Sequence, residues 1–268
     1  MGGVLHCAFY RNLSPGMITD PLFYLCAIPA VLLYGIAKGG FGGNIAILSV
    51  PLMALVASPI VAAAILLPIL CVMDLVALRT FRGRWHRENL RIILPSALVG
   101  VIIGGLTFQL LNEAHIQLLI GVIAITFTLN IWLRRQVQAQ RGPDILRGGF
   151  WGAVAGFTSF GIHAGGPPIN IYLLPQRLDK TILMGTIAVF FTVVNLAKVP
   201  AYIFLGLFSP ANLWTSLVLL PLAPIGVRMG FWLLQRSNEK LIYQLCYIFL
   251  FVTGWKLLYD GWIGLSGG

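Results

Sequence analysis

The chain has 268 residues, 58% of them hydrophobic and only 10% charged, with a mean hydropathy of +0.89. Soluble domains carry roughly 25% charged residues, so this is the composition of a polytopic membrane protein, and it excludes a separate soluble domain. The formal charge of +10 raises nucleic acid as a partner. The basic residues, however, sit in short loops between apolar runs, where they orient a chain in lipid; membrane lipid is the implied partner and nucleic acid is not.

Residues 1–17 are irregular and lack the basic flank of a signal peptide. Met17 falls just before the first apolar run and is the expected natural start, which makes 1–17 an N-terminal extension. Apolar runs follow at about 21–37, 44–57, 59–78, 91–111 and 114–133. A polar stretch, "RRQVQAQRGPDILR" (134–147), separates them from a second set at about 148–161, 168–175, 181–208, 212–235 and 241–259. Cys7, Cys26, Cys71 and Cys246 are scattered, with neither disulfide nor metal spacing, and no cofactor is called for.

The two sets read as copies. "PSALVGVIIGGLTFQLLNEAHIQLL" (95–119) aligns with "PLAPIGVRMGFWLLQRSNEKLIYQL" (221–245), with identities that include Pro95, Gly100, Gly104, Asn112 and Glu113. With small gaps, "GGNIAILSVP" (42–51) parallels "GGPPINIYLLP" (165–175), and Asp74 falls opposite Asn195. An odd number of segments per copy requires the second copy to be inverted in the bilayer, and charge agrees. Arg79, Arg82, Arg84, Arg87 and Arg91 place the 79–91 loop inside, while its counterpart "GLFSPANLW" (206–214) has no charge. Sidedness flips again between "LNEAH" (111–115) and "QRSNEK" (235–240). Both termini are therefore expected outside.

The second and seventh segments are too short to cross about 30 Å of hydrocarbon at about 1.5 Å per residue. They are expected to pair with the first and sixth as re-entrant hairpins. The expected fold is thus an all-α membrane protein of about ten helical segments in two inverted repeats of five, 18–134 and 147–268, joined by a cytoplasmic linker at 135–146.

Each expected hairpin tip is glycine-rich: "KGGFGGN" (38–44) and "FGIHAGGPP" (160–168). Non-helical backbone at membrane depth persists only when buried in protein or lining a watery cavity. Half-helices starting near Asn44 and Pro167 would aim their N-termini at the midplane, as the broken helices of secondary transporters do. Two such ends and Lys38 sum to roughly +2, a setting for a small anion. The alternative is glycine for close helix packing.

Candidate binding groups are the backbone of Gly39, Gly40, Gly42, Gly43 and Asn44, and of Gly161, Gly165 and Gly166, with Lys38 and His163. Lys38 either contacts the ligand or pairs with a carboxylate such as Asp74. His163 either contacts the anion, carries a proton, or caps backbone groups. Asn44 and Asn170 either donate to the ligand or cap their helices. Asp74, the one carboxylate deep in a long apolar run, either pairs with Lys38, Lys198 or Arg79 or couples transport to an ion; a structural pair is the favoured reading. Asn195 and Lys198 share a helix face, with Pro200 expected to kink it. Arg228 is expected to snorkel and Lys256 to anchor at the interface. Ser159 and His163 mimic a nucleophile–base pair, but no oxyanion-hole donors accompany them. No metalloprotease, P-loop or dinucleotide motif is present, so an enzyme is not expected.

"AKGGFGGNIAILSVPLMAL" (37–55), "AAAILLPILCVMDL" (62–75) and "GFTSFGIHAGGPPINIYLLPQRLDK" (156–180) resemble the sulfite exporter TauE/SafE family, over nearly all of 18–262. The resemblance implies a permease of the bacterial inner membrane for a small inorganic or organic sulfur anion: sulfite, sulfoacetate, thiosulfate or a related organosulfonate. Export follows from the family's name. Members often carry a richer GxGGG in the first half; Asn44 stands in place of one of those glycines, which either narrows the pocket or adds a donor. Two competing classes remain: a non-transporting scaffold or assembly protein, and a proton-driven cation carrier, for which only Asp74 is at hand.

Overall fold

The computed structural model describes residues 18–41, 45–108, 110–133, 142–236 and 239–266. Among them are eleven α-helices, two 3₁₀ turns and no strand. The expected linker lies largely, and the N-terminal extension wholly, outside the described residues, as do Gly42, Gly43 and Asn44.

Helix α1 (Pro21–Gly40) starts on Asp20, whose carboxylate accepts the Leu22 N–H at 2.9 Å, with Pro21 at the first position where a missing N–H costs nothing. Its 20 residues reach about 30 Å. A 3₁₀ turn (Ile45–Leu48) and the short α2 (Ser49–Met53) follow. The Ser49 hydroxyl donates to the Ala30 carbonyl at 2.8 Å, so the chain has turned back along α1. Then come α3 (Pro59–Thr80), α4 (Arg87–Phe108) and α5 (Glu113–Leu133).

The second set runs α6 (Ile145–Ile162), a short α7 (Gly166–Leu173) followed by a 3₁₀ turn (Leu174–Gln176), and α8 (Lys180–Phe204). The set closes with α9 (Pro210–Leu219), α10 (Leu222–Arg236) and α11 (Glu239–Ser266). Among the described residues, four helices, α1, α3, α4 and α8, are long and apolar enough to cross a membrane, and α9 with α10 makes a fifth, bent by 44°.

That bend departs from the single segment expected at 212–235. Pro221 lies at the break, where it offers no N–H and its ring crowds the preceding turn. Its counterpart Pro95 sits within an unbroken α4, and Pro200 within a continuous α8, so proline permits a break without compelling one.

Helix pairing crosses between the sets. Helix α1 packs along α10, α6 along α4, α5 along α11, and α3 against α8. Glycine makes the tightest of these seams possible. A Cβ on Gly39 would lie 2.1 Å from the Val227 carbonyl oxygen, and one on Gly156 2.0 Å from that of Ala97. The outer surface is apolar, with Leu146 at 85% and Phe204 at 84% exposure, as a surface bathed in lipid requires.

The five arginines of the 79–91 loop are exposed at one end of the bundle. Buried polar contacts knit that end together. Asn89 Nδ2 donates to Gln176 Oε1 at 2.8 Å, and the Tyr172 hydroxyl donates to Asn89 Oδ1 at 2.8 Å. The Asp144 N–H donates in turn to the Tyr172 hydroxyl at 3.2 Å. The segments 79–91, 144–147 and 176–180 thus lie together, as the charge pattern demands.

Candidate anion site

Lys38 occupies the last turn of α1 and is buried among apolar neighbours. Its ammonium forms an ion pair with Asp74 of α3, donates to the Leu70 carbonyl at 3.3 Å, and stands 5.6 Å from the Tyr34 ring centroid. The other Asp74 oxygen accepts from Asn195 Nδ2 of α8 at 2.7 Å. Of the two alternatives for Lys38, pairing with Asp74 is what this structure contains. A buried carboxylate and ammonium hold their charge only when bonded this closely.

One turn along α8 from Asn195, Lys198 is fully buried and bridges to the end of α6. Its ammonium donates to the Ser159 carbonyl at 2.9 Å, the Ser159 hydroxyl at 3.1 Å and His163 Nδ1 at 2.8 Å. Nδ1 must therefore accept, and Nε2, 2.9 Å from the Ala63 carbonyl, must carry the proton. This network assigns His163 as a neutral imidazole. It also occupies the nitrogen that a Ser159–His163 nucleophile pair would need.

His163 ends α6 in the left-handed conformation, with φ of 53°. A side chain there costs about 1 kcal/mol where glycine would cost little. Its N–H donates to the Ser159 carbonyl at 3.2 Å, and its own carbonyl accepts from the Tyr34 hydroxyl at 3.2 Å. Through Tyr34, the end of α6 meets the last turns of α1. Tyr202 closes the same end, donating to the Phe160 carbonyl at 2.6 Å.

Lys38, Asp74, Asn195, Lys198 and His163 thus come together in one buried cluster. The glycines have other neighbours. Gly39 and Gly40 are helical and face the backbone of α10, and a Cβ on Gly165 would sit 2.7 Å from the Ala155 carbonyl oxygen. Gly161 lies beside Phe108, Gly166 opens α7, and Asn170 Nδ2 donates back to the Gly166 carbonyl at 2.9 Å. Sequence reasoning missed Tyr34 and Tyr202. Tyr34 precedes Lys38 by one helical turn and Tyr202 follows Lys198 by one, and that spacing was the available signal.

The charges sum differently from the sequence expectation. Lys38 is compensated by Asp74, whereas Lys198 has only neutral partners. The turn between α6 and α7 also joins a helix C-terminus to a helix N-terminus, so their partial charges offset. What remains is Lys198, a fully buried lysine whose hydrogen-bond partners are all neutral. A cavity of about 20 Å³ lined by Thr107, Phe108, Phe157, Thr158, Phe160 and Gly161 has room for about one water, and none of the cluster residues lines it. Among the described residues, no group of three His, Cys, Asp or Glu is placed to hold a metal.

The sequence profile of the sulfite exporter TauE/SafE family matches residues 27–257, from within α1 to within α11. The chain belongs to the TauE/SafE family. Neither the curated proteins nor the solved structures hold a match to it. The TauE/SafE match covers every member of the buried cluster, and the family is one of membrane transporters for a small sulfur anion.

Proposed function

We propose that this TauE/SafE chain is a secondary transporter that exports a small sulfur-containing anion, such as sulfite, sulfoacetate or a related organosulfonate, by alternating access. The observation that carries this reading is Lys198, fully buried at the end of α6 with only neutral hydrogen-bond partners. An isolated buried cation is costly and a small anion relieves it. Lys198 and His163 would contact the anion, with Lys38 released from Asp74 to join them and the backbone at the end of α6 completing the pocket. Asp74 would then be the group free to take up a coupling proton.

Two inverted repeats, 18–134 and 147–268, with α1–α2 and α6–α7 as re-entrant hairpins, supply the moving parts. The crossed helix pairing supports this reading. Exchanging the two sets turns the α1–α10 seam into the α6–α4 seam and leaves the α5–α11 and α3–α8 pairs in place. Asp74 and Asn195, equivalent positions in the two copies, touch each other, as residues on a two-fold axis do. The arginine-rich end would face the cytoplasm of a bacterial inner membrane, with both termini outside. The cluster is closed by its own side chains, so rocking of one repeat against the other would admit the ligand.

Proteoliposome flux tests the proposal. Wild-type protein should move labelled sulfite or sulfoacetate, and Lys198→Met should reduce flux by about tenfold or more while remaining folded. A scaffold would move neither anion. Binding to Lys38→Ala is the companion measurement: unchanged affinity removes Lys38 from the pocket.

A further inference from the structure

Aromatic rings in contact flank the buried cluster, one group toward each end of the bundle. Resting on the transport reading above, we infer that these rings are the two gates of the ligand path, and that the Tyr202 hydroxyl latches one of them to the cluster.

Their spacing is the first observation. Asp74 on α3 and Asn195 on α8 touch within the cluster. Phe81 lies seven residues beyond Asp74, and Tyr202 lies seven residues beyond Asn195. Seven residues are about two helical turns, so each ring stands on the same side of its helix as the polar group, about 10 Å along. Helix α3 runs into the arginine-rich loop. Helix α8 starts beside that loop, where the His86 N–H donates to the Thr186 hydroxyl at 2.8 Å, and runs away from it. The two rings therefore lie on opposite sides of the Asp74–Asn195 contact.

Each ring meets others. Phe81 packs edge-on against Phe231 of α10, with centroids 5.8 Å apart. Tyr202 packs edge-on against Phe160 of α6 at 5.4 Å, and Phe108 of α4 covers Phe160 at 5.7 Å. In both places a ring from the first set meets one from the second, so movement of one set against the other parts them. Glycine lines the seams behind them: Gly39 faces Phe231, and Gly104 faces Phe160. Phe160 is also a wall of the cavity of about 20 Å³, which no member of the cluster reaches. It thus stands between that space and the cluster.

The two gates differ in one hydroxyl. The side chains of Phe81 and Phe231 carry no polar atom, whereas the Tyr202 hydroxyl donates to the Phe160 carbonyl at 2.6 Å. The Tyr202 ring also stacks beside His163, with centroids 6.4 Å apart. One turn earlier on α8, Lys198 holds the Ser159 carbonyl and His163 Nδ1. Two consecutive carbonyls at the end of α6, those of Ser159 and Phe160, are tied in this way to two side chains of α8. A ligand that engages Lys198 and His163 loosens the first tie and leaves Phe160 held by Tyr202 alone. Occupancy of the cluster primes this gate, and the Phe81 gate has no such tie.

Flux of labelled sulfite and sulfoacetate in proteoliposomes tests the gates. One closed gate prevents a leak, so Phe160→Ala and Phe231→Ala should each retain flux that saturates with anion concentration. The double variant should leak, its flux rising in proportion to concentration and exceeding wild type by about tenfold at high anion. Phe160→Leu/Phe231→Leu, expected to leak in the same way, replaces it if the alanine pair fails to fold. A folded double variant whose flux still saturates overturns the gates and leaves the transporter reading intact. Absence of saturable flux of either anion in the wild type removes that reading and this inference together.

Tyr202→Phe tests the latch, since it keeps the ring and deletes the tie. Amide hydrogen exchange across 157–164 in the purified full chain should rise several-fold when either anion is added to wild type. In Tyr202→Phe it should be raised already without anion, with exchange across 78–84 unchanged. An equal rise in both segments, or no rise in either, overturns the latch.

Discussion

The two sets of helices each contain an ammonium bridging the same kind of helix pair, and they use it in opposite ways. In the first, Lys38 on α1 reaches Asp74 on α3. In the second, the lysine is on α8, the third helix of its set as α3 is of the first, and reaches back to Ser159 and His163 at the end of α6, the first helix of that set. The first bridge is closed upon itself by opposite charges. The second is made with neutral partners alone.

Removing one member of the closed bridge should break this contrast most severely. Asp74→Ala or Lys38→Ala leaves an uncompensated buried charge, at a cost of about 3–5 kcal/mol. Thermal unfolding in detergent measures it, and the double variant Lys38→Met/Asp74→Leu should recover most of the loss. Lys198→Met, by contrast, should be far less damaging to stability than to anion flux; a melting loss equal to that of Asp74→Ala would erase the distinction.

The seams that position the two bridges come next. Gly39→Ala and Gly156→Ala each drive a methyl group into a carbonyl oxygen of the facing helix, at 2.1 and 2.0 Å. Overpacking of this kind costs about 1–3 kcal/mol, readable in the same unfolding assay. Gly83→Ala on the exposed arginine loop has open space around it and serves as the control for steric effects, although its φ of 75° carries a small strain.

The smallest expected effect lies at the mouth of the second set. Asp179 caps α8, accepting from the Thr181 hydroxyl at 2.5 Å and the Thr181 N–H at 2.9 Å. Those hydrogen bonds from Thr181 hold its carboxyl below the usual carboxylate range. A depressed acid contributes stability above its unfolded pKa and loses it as pH falls through the folded one. Acidification should therefore weaken this helix start slightly, and Asp179→Asn should flatten that slope in unfolding measured against pH.

Much of this architecture was legible in the sequence because lipid imposes simple rules. Every apolar run became helix, the two short runs stayed short, and the arginine loop gathered with 144–147 and 176–180 as its charge required. The reversal after Ile162 was legible from its glycines, although the residue that adopts positive φ is His163. Which partner each buried side chain takes was not legible. Lys38 had several candidate partners, and only the approach of α3 chooses Asp74. The Asn89–Gln176 pair, residues far apart along the chain, left no local trace at all. Glycine was ambiguous for a physical reason, since one residue type serves both a turn and a close helix approach. At Gly39 and Gly40 the close approach is what the structure contains.

The contact between Asp74 and Asn195 limits how alike the two halves of this chain can be. If they arose by duplication, the ancestral copies would have brought identical side chains face to face at this spot. Two aspartates there would repel unless they shared a proton, and two asparagines would leave Lys38 without a counter-charge. Divergence to one acid and one amide resolves both difficulties, so the halves are no longer interchangeable at the point where they meet.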